Sequence, residues 1–290
     1  VRGVAFNPEV YNLKNVPYKS AWFKNYDKKH VRNQVIAELR AIKKTTGLTE
    51  VWLMLSAFQR VGFPVAQQAE LDRLVLFFND VHAEGMRVVF TLGHPYIVPR
   101  SRLKPSLKPT PVCGHKKGDT VNGFKLYWDV PDCPENNIAL SRQWHMQILK
   151  ELEKRLSSRA TVAYVVLGGH VGLPFAAEMN MFTNGYTYLA EAQAYVKALV
   201  PHLRATSSFP VGLYLMPSRW KPGRRGPVDY SFLDNVLAVL PAKQLDVLDI
   251  TTAPSVDIGV LVSRVGAANA GKMVVSDFKP HFFAATQTQS

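Results

Sequence analysis

Apolar positions alternate between two patterns along the chain. Short β-branched and aromatic runs read as buried strands, and stretches with apolar residues three and four apart read as helix faces. The runs at 4–6, 51–55, 86–92, 161–167, 211–215, 245–250 and 272–278 are the predicted strands. Between them Val31, Val35, Leu39 and Ile42 mark one helix face, and Gly47 stops that helix. A second helix spans 66–84 with Leu71, Leu74, Val75 and Phe78 inward and Gly85 as its stop. Further helices are expected at 137–156, 188–203, 230–240 and 256–268.

Strand–helix units of this spacing predict an α/β protein with a parallel sheet and helical crossovers. A doubly wound sheet and a TIM-type (β/α)8 barrel both fit the order. The length of 290 residues suits a single barrel domain over 1–290. No glycine-rich dinucleotide or phosphate-binding pattern follows any strand, which argues against a nucleotide-binding sheet. About a dozen residues follow 278, too few for another helix and strand. The barrel is therefore expected to be incomplete or truncated at its eighth strand. A long insertion, at about 93–135, interrupts the regular alternation.

The run TVAYVVLGGHVGLPFAAEM at 161–179 concentrates the chemistry. Its first half reads as a strand buried on both faces. Gly168, Gly169 and Gly172 then let the backbone turn, and His170 and Glu178 follow. In parallel α/β folds ligands bind at the C-terminal strand ends. The residues at or just past those ends are Asn7 and Glu9, Ser56 and Gln59, His94 and Tyr96, His170 and Glu178, Tyr214 and Arg219, Asp249 and Thr251, and Asp277 and Lys279. Aromatic, amide and carboxyl groups around one mouth suit a sugar cleft. Glycoside hydrolysis needs two carboxyl groups across the scissile bond. Glu178 and Asp277 are the expected pair, with Asn7, Glu9, His94, Tyr96, His170, Tyr214, Arg219 and Asp249 as substrate-binding candidates.

The strand-four segment VAYVVLGGHVG and the strand-seven segment KMVVSDFKP resemble the large clan of (β/α)8 glycoside hydrolases. That clan places its acid after strand four and its nucleophile at strand seven. In the clan, strand four usually ends in Asn-Glu and strand seven in Glu. Here the corresponding places hold Gly169 and His170, and Asp277. Glu178, following a glycine-rich strand end, is similar to the arrangement in β-galactosidase-like barrels. The resemblance implies a glycosidase. The departures from its motifs leave open a catalytically inactive barrel that binds carbohydrate or serves a structural role.

Charge sharpens the expected substrate. Lys and Arg number 35 against 22 Asp and Glu, a formal net charge of +13. Arg100, Arg102, Lys104, Lys108, Lys116, Lys117 and Lys125 fall after strand three, and Arg219, Lys221, Arg224 and Arg225 after strand five. On a barrel both groups border the mouth that carries the acids, so the expected partner is an anionic polysaccharide. No zinc-finger spacing, RRM signature or helix-turn-helix points to nucleic acid. No apolar run is long enough for a membrane span, and no metal or cofactor is expected. Cys113 and Cys133 either form a disulfide closing about 20 residues, worth roughly 3 kcal/mol, or stay free. The disulfide reading implies an extracellular or periplasmic location. The N-terminal VRGVAFNP is no signal peptide, so such a location implies a leader already removed.

Overall fold

Parallel strands joined by helices need each helix to cover one face of the sheet, and each strand here meets that demand in turn. The structure, a computed structural model, describes residues 3–6, 22–54, 68–92, 120–121, 124–125, 134–167, 189–215, 230–240, 244–251, 258–267 and 273–276. The sheet strands are β1 Gly3–Phe6, β2 Glu50–Met54, β3 Arg87–Thr91, β4 Val162–Leu167, β5 Val211–Leu215, β6 Val247–Thr251 and β7 Met273–Ser276. The helices between them are α1 Lys29–Thr46, α2 Gln68–Ala83, α3 Pro134–Arg155, α4 Leu189–Thr206, α5 Ser231–Leu237 and α6 Ile258–Ala267.

The seven strands hydrogen-bond in chain order, β1 through β7, and every pairing is parallel. A doubly wound sheet reverses its strand order at a switch point; this one never does. Sequential parallel order with a helix in every crossover is the topology of a TIM-type barrel. No further strand joins this sheet among the described residues. Inside the 93–135 insertion, Thr120–Val121 and Phe124–Lys125 pair as a two-stranded antiparallel ladder that the sequence pattern did not announce. Cys113 and Cys133 lie outside the described residues.

Two apolar layers result. The larger lies between sheet and helices and includes Val51, Leu53, Val88, Phe90, Val165, Leu167 and Leu213 with Val35, Leu39, Leu74, Phe78, Leu149 and Leu199. The smaller contains only strand residues: Trp52, Val89, Tyr164, Val166, Tyr214 and Val247. Adjacent residues such as Leu53 and Trp52, or Val165 and Val166, divide between the layers. That is the pleat of strands covered on both faces. In β4 the alternation carries one extra residue. Val88 pairs with Val162 but Val89 with Tyr164, so Ala163 forms a bulge.

Residues 22–25, ahead of α1, form a short 3-10 turn that buries Trp22 completely. Trp22, Tyr26 and Phe77 meet edge-on or tilted at 5.3–5.5 Å, the geometry favoured by the ring quadrupole. The cluster has a polar hinge. Tyr26 Oη donates to Asp80 Oδ2 at 2.8 Å, and Arg32 grips the same carboxylate through Nε at 2.7 Å and Nη2 at 2.6 Å. Burial, and then the Asp80 charge, raises the Tyr26 phenol above its usual pKa, so it remains a donor.

The edge where strands begin is tied loop by loop. Arg87 pairs with Glu50 across the starts of β3 and β2. Arg40 holds Glu84 at 2.8 Å, and Lys43 Nζ donates to the Glu84 carbonyl at 2.7 Å. Ser157 donates from backbone N and Oγ to Asn79 Oδ1 at 2.9 and 3.0 Å. Ser208 does the same to Glu153 Oε1 at 2.6 and 2.8 Å. Asp246 Oδ2 accepts from Arg204 at 2.6 Å and from Val211 N at 2.7 Å.

Replacing Asp80 by Asn should remove the charge that Tyr26 and Arg32 share. The expected loss is about 2–3 kcal/mol, low for a buried pair because Arg32 is 39% exposed. Urea unfolding measures it, and an unchanged midpoint would show that the hinge does not hold the N-terminal turn.

Candidate functional site

Because all seven strands run the same way, their C-terminal ends, Phe6, Met54, Thr91, Leu167, Leu215, Thr251 and Ser276, share one edge. The sequence-predicted residues attach to these ends. Asn7 directly follows β1 and Asp277 directly follows β7, while Glu9, His94, Tyr96, His170 and Arg219 come three to five residues beyond their strands and Glu178 eleven beyond β4. All eight lie outside the described residues, as do Ser56, Gln59 and Lys279. Tyr214 and Asp249 lie within the strands, and the structure brings these two together: they are register partners on β5 and β6.

Both are covered on the inner face. Tyr214 is 0% exposed and Asp249 1%. A carboxylate this deep requires donors, since an unpaired buried charge is prohibitively costly. One comes from two strands away: Tyr164 Oη on β4 donates to Asp249 Oδ2 on β6 at 3.1 Å. The ring reaches across β5 at Gly212, where an added Cβ would stand 3.0 Å from Tyr164 Cδ2. Glycine in mid-strand therefore has a steric cause here. Burial first, and the Asp249 charge second, raises the Tyr164 phenol, so it acts as donor throughout the ordinary pH range.

A second inner-face bond sits on the other side. Trp52 Nε1 on β2 donates to Thr91 Oγ1 on β3 at 2.6 Å. The Trp52 and Tyr214 rings meet at 5.1 Å with a 57° tilt. Trp52, Tyr164 and Tyr214 thus fill the barrel interior with rings, and the polar ends of Trp52 and Tyr164 are satisfied across strands. They make a rigid, water-poor floor beneath the C-terminal edge, with one carboxylate set in it. Asp249 stands two residues, ~7 Å, below the end of β6. Sequence reading missed Trp52, Thr91 and Tyr164. Tyr164 sat inside an apolar run, and nothing local to β4 names a partner some 85 residues away. Among the described residues no group of three or more His, Cys, Asp and Glu could hold a metal ion. Among those residues, too, no helix is long and apolar enough to cross a membrane.

No protein-family model matches the sequence, and no curated protein matches it. Solved structures do resemble the fold. The catalytic domain of β-amylase from Paenibacillus polymyxa aligns with a TM-score of 0.58 at 11% identity, covering 95% of this chain and 86% of that one. TsXylA, an intracellular xylanase from Thermoanaerobacterium saccharolyticum, aligns at 0.52 and 12% identity, covering 95% and 72%. The exo-β-1,4-mannosidase Op5Man5 from an Opitutaceae bacterium aligns at 0.48 and 11% identity, and this chain spans 38% of its length. At such identity the likeness establishes the barrel fold.

Tyr164→Phe tests the floor. It removes a donor to a buried carboxylate with little change in shape, and about 1.5–3 kcal/mol of stability should go with it. Denaturant unfolding of the variant measures this; a loss under about 0.5 kcal/mol would mean that the bond adds little.

Proposed function

We propose that this barrel is a glycoside hydrolase acting on a polysaccharide, anionic or rich in amino sugars, by two-carboxylate chemistry. Glu178 serves as general acid and Asp277 as nucleophile or base. One observation carries the reading. The ends of β4 and β7, which lead into these two acids, lie on the same edge of one continuous parallel sheet. That edge is where barrels place their chemistry.

In the reaction Glu178 protonates the glycosidic oxygen as the bond to the anomeric carbon breaks. Asp277 either attacks that carbon or takes a proton from the attacking water. A carboxyl separation of about 5–5.5 Å gives retention and roughly 6.5–9.5 Å gives inversion. The arginines and lysines of 100–125 and 219–225 would bind carboxylate or sulfate groups along the chain. Asn7, Glu9, His94, Tyr96, His170 and Arg219 are the proposed hydroxyl and ring contacts, with Tyr214 and Asp249 shaping the floor below. An anionic glycan substrate agrees with an extracellular or periplasmic site of action and with a Cys113–Cys133 disulfide.

Reducing-end release from a panel of acidic and neutral glycans tests the activity. Glu178→Gln and Asp277→Asn should each lower kcat by roughly 10²–10⁴. An aryl glycoside with a good leaving group should restore rate to Glu178→Gln, because it needs no protonation, and not to Asp277→Asn. Full rate in both variants rejects the assignment. Glycan binding without cleavage by the parent chain identifies an inactive carbohydrate-binding barrel instead.

A further inference from the structure

Two histidines meet where α3 lies beside α4, and the proposed chemistry uses neither. Arg142 Nη2 on α3 donates to the Ala198 carbonyl on α4 at 3.3 Å, and Ser208, just past α4, binds Glu153 of α3. These contacts join residues 56 and 55 apart in sequence, so the helices run side by side in the same direction. His145 and His202, offset by a similar amount, are therefore level with each other. Pro201 lies inside α4 directly before His202. It removes the N–H that the Lys197 carbonyl would accept, which weakens the turn Arg142 reaches into.

His202 hydrogen-bonds the Arg142 backbone, but each imidazole keeps one buried nitrogen unpaired. His145 is 1% exposed. Its Nδ1 and the Nε2 of His202 are buried without a hydrogen-bond partner. Buried unpartnered polar atoms are rare in folded proteins and call for a reason. The charged group set against His202 is Arg142, another cation. Several acids on the surrounding helices are engaged elsewhere. Asp72 of α2 and Glu151 of α3 bind Arg155, Glu153 binds Ser208, and Asp234 of α5 binds Arg264.

We propose that the α3–α4 contact is an acid-sensitive clasp, closed while His145 and His202 are neutral and opened when they are protonated. Opening would free the start of α4, which receives the segment 168–188 with His170 and Glu178, and the start of α3, which receives the insertion. The clasp stands independently of the hydrolase reading, since it concerns the helices alone.

The direction follows from linkage. Burial, then repulsion from His202, pushes His145 down to about 3. Burial, then Arg142, lowers His202. A histidine in the unfolded chain titrates near 6.5, so below that pH the unfolded state takes up the proton first. The stability that neutral histidines permit is therefore complete above about pH 6.5 and drains away as pH falls toward about 3.

Two variants of the full chain test this, His145→Leu and the milder His202→Gln at a half-buried position. Thermal unfolding at neutral and mildly acidic pH should show a fall in Tm for the parent chain. That fall should shrink in both variants, more in His145→Leu than in His202→Gln, since each variant loses one of the two protons. Hydrogen exchange, corrected for the intrinsic pH effect, should show α3 and α4 losing protection in acid before α1 and α2. Variants with the parent's pH dependence, or protection lost evenly over all helices, would overturn the clasp.

Discussion

A strand covered on both faces has no water to which a polar side chain can turn. β4 and β5 live under that constraint along almost their whole length. Polar atoms on the inner face must find partners on other strands or be absent. Among the described residues this is met by bonds such as Trp52 to Thr91 and Tyr164 to Asp249, and by a glycine at 212 that lets one ring cross a strand. Each bond links separate strands, so each fixes register as well as satisfying a group. Apolar burial on the helix side supplies most of the drive to fold; the inner face selects one alignment.

The edge where strands begin is laced by side-chain bonds between successive units. Its exposed ion pairs contribute about 0–1 kcal/mol each. Bonds to backbone N–H groups, such as Glu153 to Ser208 and Asp246 to Val211, add direction to that modest energy. Laced from below, the strands present their opposite ends at fixed spacing whatever loops follow them. This division lets a barrel vary its chemistry without varying its frame.

Much of this frame was legible in the sequence because its signals are local. Gly47 stops α1 in the left-handed conformation with φ of 69°, and Gly85 turns at 65° before β3. The apolar runs gave all seven strands to within two residues at either end. Other features were not legible. The turn at Trp22 has no periodicity to betray it, and α4 runs on to Thr206, three residues past its predicted end at 203. An apolar run does not reveal which parity faces inward, so the Tyr164–Asp249 bond, formed only when β4, β5 and β6 align, had no local trace. Asp249 read as a substrate-binding candidate at a strand end, and the structure buries it.

Strand spacing favours acids at β4 and β7, and not at neighbouring strands, for the proposed glycosidase. Adjacent strands stand ~4.8 Å apart, so carboxyl groups on their tips would crowd and share a proton. Three strand steps separate the β4 and β7 backbones by at most ~14 Å along the sheet, and less across a curved barrel. Two side chains leaning inward from that distance bring their carboxyls toward the separations that hydrolysis uses, with room between for a sugar ring. The shorter aspartate at 277 then demands closer approach from the partner acid than a glutamate would. Under the proposed assignment Glu178, eleven residues past the end of β4, is the acid that must supply it.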